Sequence, residues 1–425
     1  MKIIDTNDLS TPCSVLYLSH DGMIDPLGQS QVLPYLTQLS QRGFKITLVS
    51  CEKKGRFTRN KSVIDNICQA AGIHWQPIPY SQAIPILSSV YNVFKLYRKA
   101  FQLQKTIGFS IVHCRSYVCS IVGLKLKQRF GVKFIFDTRG FWHEERLRSF
   151  RDNFLLSTIF NYFVRKEKEF IAQSDSIVTL NQTAKEEIEQ RAEFDKSKTS
   201  IDIIPCCVDY ELFTPLSIRV PADNIIEKKS IRKSFDIAEN EIVLGYVGSV
   251  GDIYMLDEML DFFKIMLEKV EKTRFFIITF ERAQTIFDKA KQKNIPFETL
   301  IVKSATRKEV AVYLNTVDFA ISFIKPLYEK RGCSPTKMGE YWAMNIPVIA
   351  NDGVGDVGKI MDDIQGGVLI NDFTTEAYDL GLMELLKWEN KHETIREKSK
   401  KYYDLTQGVE KYLKIYTQLT KYFPK

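Results

Sequence analysis

Short apolar runs alternate with longer amphipathic stretches along nearly the whole chain. Val15-Leu-Tyr-Leu-Ser19 reads as a first strand of the kind a parallel sheet buries on both faces. A polar turn follows, His20 to Ser30, with Gly28 inside it. The spacing then predicts a helix to about Gln41, with Pro34 confined to its first turn and Gly43 as its stop. Lys45 to Cys51 is the next strand, which completes a βαβ unit. Further strands are expected at 111–113, 134–136, 176–180 and 201–205. The turn-rich segment Pro205 to Pro215 closes this series and places a boundary near 216–225.

The pattern then restarts. Ile242 to Val247 is an apolar run, Gly248-Ser249-Val-Gly251-Asp252 a glycine turn, and Leu256 to about Lys269 an amphipathic helix. Strands are expected near 274–280, 299–302, 318–323 and 347–350, and the stretch 374–422 is helical by periodicity. The fold expected is α/β: two Rossmann-like, doubly wound domains, residues 1–218 and 219–400, with 401–425 as a C-terminal helical segment. Such sheets bind ligands at the carboxyl ends of their strands.

Composition narrows the class. The 425 residues are 44% hydrophobic and 26% charged, as in an ordinary globular protein. No apolar run approaches the roughly 18 residues of a membrane span, and the first residues do not read as a signal peptide. Eight cysteines lie mostly in or beside apolar runs without a C-x-x-C pair, which suggests buried thiols in a reduced, cytoplasmic chain. The net charge of +7 suits anionic substrates or an anionic membrane surface. No nucleic-acid-binding motif is recognisable.

The densest candidate chemistry runs from Cys333 to Ala350. Ser334 suits an N-cap, Pro335 the first helical position, and Asn345 the left-handed residue that ends a helix. A helix N-terminus offers free N–H groups and a positive dipole end to a phosphate. Lys337 adds a full charge, and Thr336 adds donors. Glu340, three residues after Lys337, shares its face and suits the hydroxyls of a ribose. Diphosphate and ribose together make a nucleotide. A buried α/β connection whose Lys and Glu are merely solvated is the alternative.

This stretch resembles the donor-nucleotide loop of retaining glycosyltransferases of family 4, which have the two-domain GT-B architecture. The segment 205–215 resembles the family's I-P-x-x-V-D-x-x-x-F-x-P linker at Pro205, Val208, Asp209, Phe213 and Pro215. The resemblance covers nearly the whole chain. It implies two domains facing across a cleft, with the C-terminal helix crossing back to the N-terminal domain. It also implies a UDP- or GDP-sugar donor, a saccharide or lipid-linked saccharide acceptor, retention, and no cofactor. In this family the leaving phosphate itself accepts the acceptor's proton. Such enzymes work without the Asp-x-Asp metal motif, which is absent here. By the same resemblance Glu340 binds ribose, and Lys325, Arg331, Ser334, Pro335, Thr336 and Lys337 surround the donor with Gly248 and Ser249.

Two departures stand out. The family's first glutamate falls at Gly332, and the Arg and Lys that follow its glycine turn are missing after Gly248. Lys325, Arg331 or Arg307 are candidates to replace the missing cations. In the N-terminal half, Asp137 stands where the family often has a histidine, followed by Arg139 and His143. With Lys325, these three are the candidate catalytic residues. Asp137 and Arg139 orient the transferred sugar, or they form a structural ion pair. Gly28 either lets the backbone approach a ligand or shapes an ordinary βα turn. Two aromatic, basic helices, 90–99 and 154–168, suggest peripheral membrane contact or a core with charged outer faces. A nucleotide-sugar epimerase and a non-catalytic nucleotide-sugar-binding subunit are the competing readings.

Overall fold

Apolar runs of four to eight residues become strands, and every strand pairing among the described residues is parallel. The structure is a computed structural model that describes residues 13–81, 85–142, 144, 156–219, 224–388 and 394–421. The chain divides into two compact units, Met1–Pro205 with Leu405–Lys425, and Cys206–Asp404.

The first unit holds a seven-stranded sheet. Its strands are β1 (Ser14–Ser19), β2 (Lys45–Glu52), β3 (His74–Pro79), β4 (Ile111–Arg115), β5 (Lys133–Asp137), β6 (Ser176–Thr179) and β7 (Ser200–Ile203). They lie in the order β3-β2-β1-β4-β5-β6-β7, which reverses direction between β1 and β4. Around them pack α1 (Pro26–Gln31), α2 (Leu33–Gln41), α3 (Lys54–Ala70), α4 (Pro85–Ile107), α5 (Ser116–Phe130) and α6 (Ser157–Gln173). The single helix expected up to Gln41 is therefore two, broken at Val32, and Pro34 sits in the first turn of the second. Strand β3 escapes the apolar-run criterion because it is an edge strand with Pro77 and Pro79, which a sheet tolerates only at an edge.

The second unit holds a six-stranded sheet in the order β10-β9-β8-β11-β12-β13. Among its elements are β8 (Ile242–Val247), α7 (Leu256–Lys269), β9 (Thr273–Ile278), β10 (Leu300–Lys303), α8 (Arg307–Tyr313), β11 (Phe319–Ser322), α9 (Thr336–Ala343), β12 (Val348–Asn351), β13 (Gly367–Ile370) and α10 (Ile395–Tyr403). The reversal here lies between β8 and β11. The last helix, α11 (Leu405–Thr420), returns to the first unit.

The sequence reading ends its first domain at 218, whereas the segment from Cys206 onward belongs to the second unit. The reason is packing. Val208, Tyr210 and Phe213 are buried in the second core. The Val208 N–H donates to the Tyr403 carbonyl at 2.7 Å. The buried Arg396 guanidinium donates to the carbonyls of Tyr210, Phe213 and Ala343 and lies over the Tyr210 ring. In the first unit, α11 buries Val409, Tyr412, Ile415 and Tyr416. Tyr412 packs edge-on to Tyr35, and Tyr416 edge-on to Phe44. None of the eight cysteines is in a disulfide, and seven are buried. Among the described residues no helix is long and apolar enough to cross a membrane.

Candidate functional site

In a doubly wound sheet the crevice for a ligand opens where the strand order reverses. In the second unit that point is the end of β8, and the glycine turn at 248 leaves from it. Gly248 has φ +138°, a conformation that disfavours a side chain. A Cβ there would come within 2.9 Å of Lys337 Nζ, so glycine lets the ammonium lie directly against the turn.

Helix α9 supplies Lys337, Glu340 and Tyr341 from one face, at i, i+3 and i+4. The Tyr341 hydroxyl accepts from the Val247 N–H at 2.7 Å and so ties the helix to the end of β8. Lys337 Nζ donates to the Tyr246 hydroxyl at 2.9 Å, which in turn donates to the Ser249 carbonyl. The ammonium also lies 4.1 Å from the centre of the Tyr246 ring and 4.6 Å from that of Tyr254. Cation–π contact and one hydroxyl are weak substitutes for water. Burial accordingly lowers the Lys337 pKa from its ordinary value to about 7, against the opposing charge of Glu340.

Glu340 does not pair with Lys337 by hydrogen bond. Its Oε1 accepts from Arg307 Nη1 at 2.7 Å, and the guanidinium rests on the Phe213 ring. Burial pushes the Glu340 carboxyl up, and Arg307 and then Lys337 pull it back. Arg307 is thus committed to the acid rather than aimed at a phosphate. It is placed by a capping box at the start of α8, in which Thr306 and Glu309 exchange hydrogen bonds. The site is therefore a buried acid with a cationic partner beside a buried cation that, among the described residues, has no carboxylate in hydrogen-bond contact.

The remaining candidates of this loop divide. Helix α9 begins at Thr336 with Pro335 as its N-cap, one residue later than the sequence suggests. Ser334 is not the cap. Its hydroxyl accepts from the Cys206 N–H at 3.3 Å. Lys325 is exposed, and its N–H donates to the Ile253 carbonyl, which fastens the 325 turn to the 248–254 turn. Asn351 holds the same turn from the end of β12, with its side chain accepting from the Ile324 N–H and donating to the Ile324 carbonyl. Arg331 is exposed with its guanidinium near the Tyr328 ring. Ser249 is exposed and donates to Glu281 at 3.2 Å. Tyr246, Tyr254 and Tyr341 are absent from the sequence candidates. The available signal is the i, i+4 spacing of Lys337 and Tyr341.

In the first unit the reversal lies between β1 and β4. Asp21 and Arg115 leave these two strands and pair at 3.3 Å. Asp137, at the end of β5, is 0% exposed. Its Oδ2 accepts from the Tyr412 hydroxyl at 3.1 Å and lies 3.5 Å from His113 Nε2, and its Oδ1 is 3.8 Å from Arg139. Burial raises the Asp137 carboxyl, but Arg139, His113 and Arg115 together outweigh it and hold it below the ordinary carboxylate value. His113 presents Nδ1 to the Tyr416 hydroxyl at 2.7 Å, and burial lowers its pKa. The carboxylate is enclosed among partners from its own unit, and Arg139 is nearly as buried. His143 lies outside the described residues.

Gly28 sits in α1, where a Cβ would come within 2.3 Å of the Gly22 carbonyl oxygen. The close approach at this glycine is to its own chain, across the turn that the buried Glu52 holds by accepting from the Met23 N–H at 2.7 Å. Gly28→Ala is expected to cost about 1–3 kcal/mol of stability by overpacking and to leave nucleotide affinity unchanged. Chemical denaturation beside a binding titration checks both halves.

Comparison with known proteins bears on what these two units are. The profile of Glycosyltransferase Family 4 matches residues 29–212, and that of Glycosyl transferases group 1 matches residues 227–402. No curated protein sequence matches the chain. Among solved structures, sucrose-phosphate synthase of Thermosynechococcus elongatus superposes with a TM-score of 0.71 at 14% identity, over 96% of this chain and 99% of that one. WaaG, a glycosyltransferase involved in lipopolysaccharide biosynthesis, gives 0.68 at 13% identity, over 96% and 99%. Anabaena HepE in complex with UDP-glucose gives 0.68 at 10% identity, over 95% and 99%. At these identities the superpositions speak for the fold alone. With a family profile matched to each half and the doubly wound sheets just described, the chain belongs to the GT-B glycosyltransferases.

Proposed function

We propose that the chain transfers a sugar from a UDP- or GDP-sugar to a saccharide or lipid-linked saccharide, with retention and without a metal. Polysaccharide or glycoconjugate assembly in the cytoplasm, at the inner face of the membrane, is the setting in which such an acceptor is met. The observation that carries the reading is Lys337, a buried ammonium whose neighbouring acid is already engaged by Arg307. A donor diphosphate supplies the missing counter-charge. The HepE complex makes a UDP-sugar the first donor to try.

In the reaction the bond from the anomeric carbon to the diphosphate oxygen breaks, and a bond to the acceptor oxygen forms on the same face. The acceptor's proton passes to the leaving phosphate. Negative charge grows on the diphosphate as the bond breaks, and stabilising that charge is the main electrostatic task. In this reading Lys337 and the N–H groups opening α9 do it, and Glu340, held by Arg307, takes the ribose.

A pH dependence follows. In the free protein Lys337 loses its proton near pH 7. A bound diphosphate favours the charged form and raises that pKa. Affinity therefore holds below about pH 7 and falls as the pH rises above it, by up to about tenfold per unit. The test is a thermal-shift titration with UDP, GDP and their sugars across this range, since a ligand bound only by the folded protein raises the melting temperature. A shift with one base that fades above pH 7 is expected. Absence of any shift, or a shift indifferent to pH, would overturn the assignment of Lys337 to the diphosphate.

A further inference from the structure

Two helices that the sequence treats alike differ in the structure. Helix α6 buries Phe160, Phe170 and Glu167, and its charges are matched by Lys166–Glu169 and Arg191–Glu167 pairs. It is a core helix. Helix α4 is not. Its inner face buries Asn92, Leu96, Ala100 and Leu103, but Val90, Tyr91 and Phe94 are 64%, 53% and 52% exposed. Three large apolar side chains within five residues are more than scattered surface apolarity.

The charge around them has one sign. Helices α4 and α5 carry seven Lys and Arg and no Asp or Glu. Lys127 is neutralised by Asp175, but none of the other six is in an ion pair among the described residues. Five of these cations lie on rings of α4: Lys95 on Tyr91, Arg98 on Phe94, Lys125 on Tyr97, and Lys105 and Arg129 on Phe101. Aromatic and cationic groups thus alternate over one continuous face shared by the two helices.

The face has a definite place in the fold. The Asn92 side chain accepts from the Ser81 N–H at 3.0 Å and donates to its carbonyl at 2.9 Å, just after β3 ends. The exposed rings therefore stand beside the carboxyl end of the edge strand β3.

We propose that the outer face of α4, with Lys125 and Arg129 of α5, seats the protein on an anionic lipid surface. Rings enter the headgroup layer while the cations stacked on them meet lipid phosphates, an arrangement for which amphipathic basic helices are suited. The proposal is independent of the donor and of the acceptor's identity, because binding is read without either.

The test is co-sedimentation with vesicles of phosphatidylcholine, with and without phosphatidylglycerol. The full chain is expected to partition onto the anionic vesicles, less so as salt rises, and not onto the neutral ones. Each cation near such a surface is worth about a fivefold change in partition. Arg98→Glu with Lys105→Glu should therefore lower it at least about 25-fold, while Lys308→Glu, an exposed lysine of the second unit, should not. A second measurement does not depend on disruption. Phe94→Trp should gain a blue-shifted emission with anionic vesicles and be quenched by brominated lipid. Equal partition onto neutral vesicles, insensitivity to the Arg98 and Lys105 reversals, or an emission of the Phe94→Trp variant that ignores vesicles would overturn the proposal. So would salt-sensitive binding to polyglutamate but not to vesicles, which would assign the face to an acidic protein instead.

Discussion

Lys337→Met is expected to bind a nucleoside diphosphate at least about tenfold more weakly than the wild type while melting at a higher temperature in the absence of ligand. The two effects have opposite signs because one group is responsible for both. The ammonium is buried against Tyr246 and Tyr254 with no carboxylate in hydrogen-bond contact among the described residues. Desolvating an unpaired charge costs free energy, and an apolar group of similar volume relieves it, often by about 1–4 kcal/mol where buried ions have been replaced. Tyr246 keeps its bond to the Ser249 carbonyl, so no buried hydroxyl is stranded. The bound diphosphate, however, loses a charge-assisted contact worth about 1.5–3 kcal/mol. Calorimetric titration and unliganded melting curves read the two effects separately. A variant that melts lower and binds as before would show that Lys337 is a structural lysine.

The other large effect expected is on folding. Arg396→Ala should destabilise the second unit by about 2–5 kcal/mol, as truncating a large buried side chain to Ala does, with hydrogen bonds from a charged group lost besides. The guanidinium satisfies three carbonyls, those of Tyr210, Phe213 and Ala343, which belong to the linker segment and to α9. Without it the Phe213 and Ala343 oxygens lose this donor, while the Tyr210 oxygen keeps the Thr214 hydroxyl at 2.6 Å. Lysine should rescue only part, since its single ammonium cannot reproduce the planar fork. Urea unfolding followed by the fluorescence of Trp342, which is buried in the same core, would show the lowered midpoint. An unchanged midpoint would mean that the segment 206–215 does not depend on this residue.

Much of this architecture could be read from the chain. Apolar runs such as Ile242–Val247 and Val348–Ala350 are central strands because nothing else buries both of their faces. Strand β3 was not legible, since it carries prolines that are tolerated at the edge where it lies, and neither was β13, a four-residue edge strand that opens on Gly367. In the candidate site, Lys337, Glu340 and Gly248 were legible from helical spacing and turn chemistry, and the structure brings Lys337 and Gly248 together. Arg307 was visible as a cation near the loop, but its engagement with Glu340 joins residues 33 positions apart and no local pattern encodes it. The same holds for His113. Alone in sequence it has no partner, and its companions Asp137 and Tyr416 come from another strand and from the far end of the chain. Gly28 invited a ligand-based explanation because the sequence shows where a side chain is missing, but not what occupies the space.

The return of α11 also sets the order in which the molecule can be built. The hydroxyls of Tyr412 and Tyr416 meet Asp137 and His113 in the interior of the first unit. On the ribosome these tyrosines appear only after the whole of Cys206–Asp404 has been made. Domains of a nascent chain ordinarily fold in the order of synthesis. Here the unit that begins first is completed last. Until α11 docks, Asp137 and His113 lack the two hydroxyls that meet them in the finished unit.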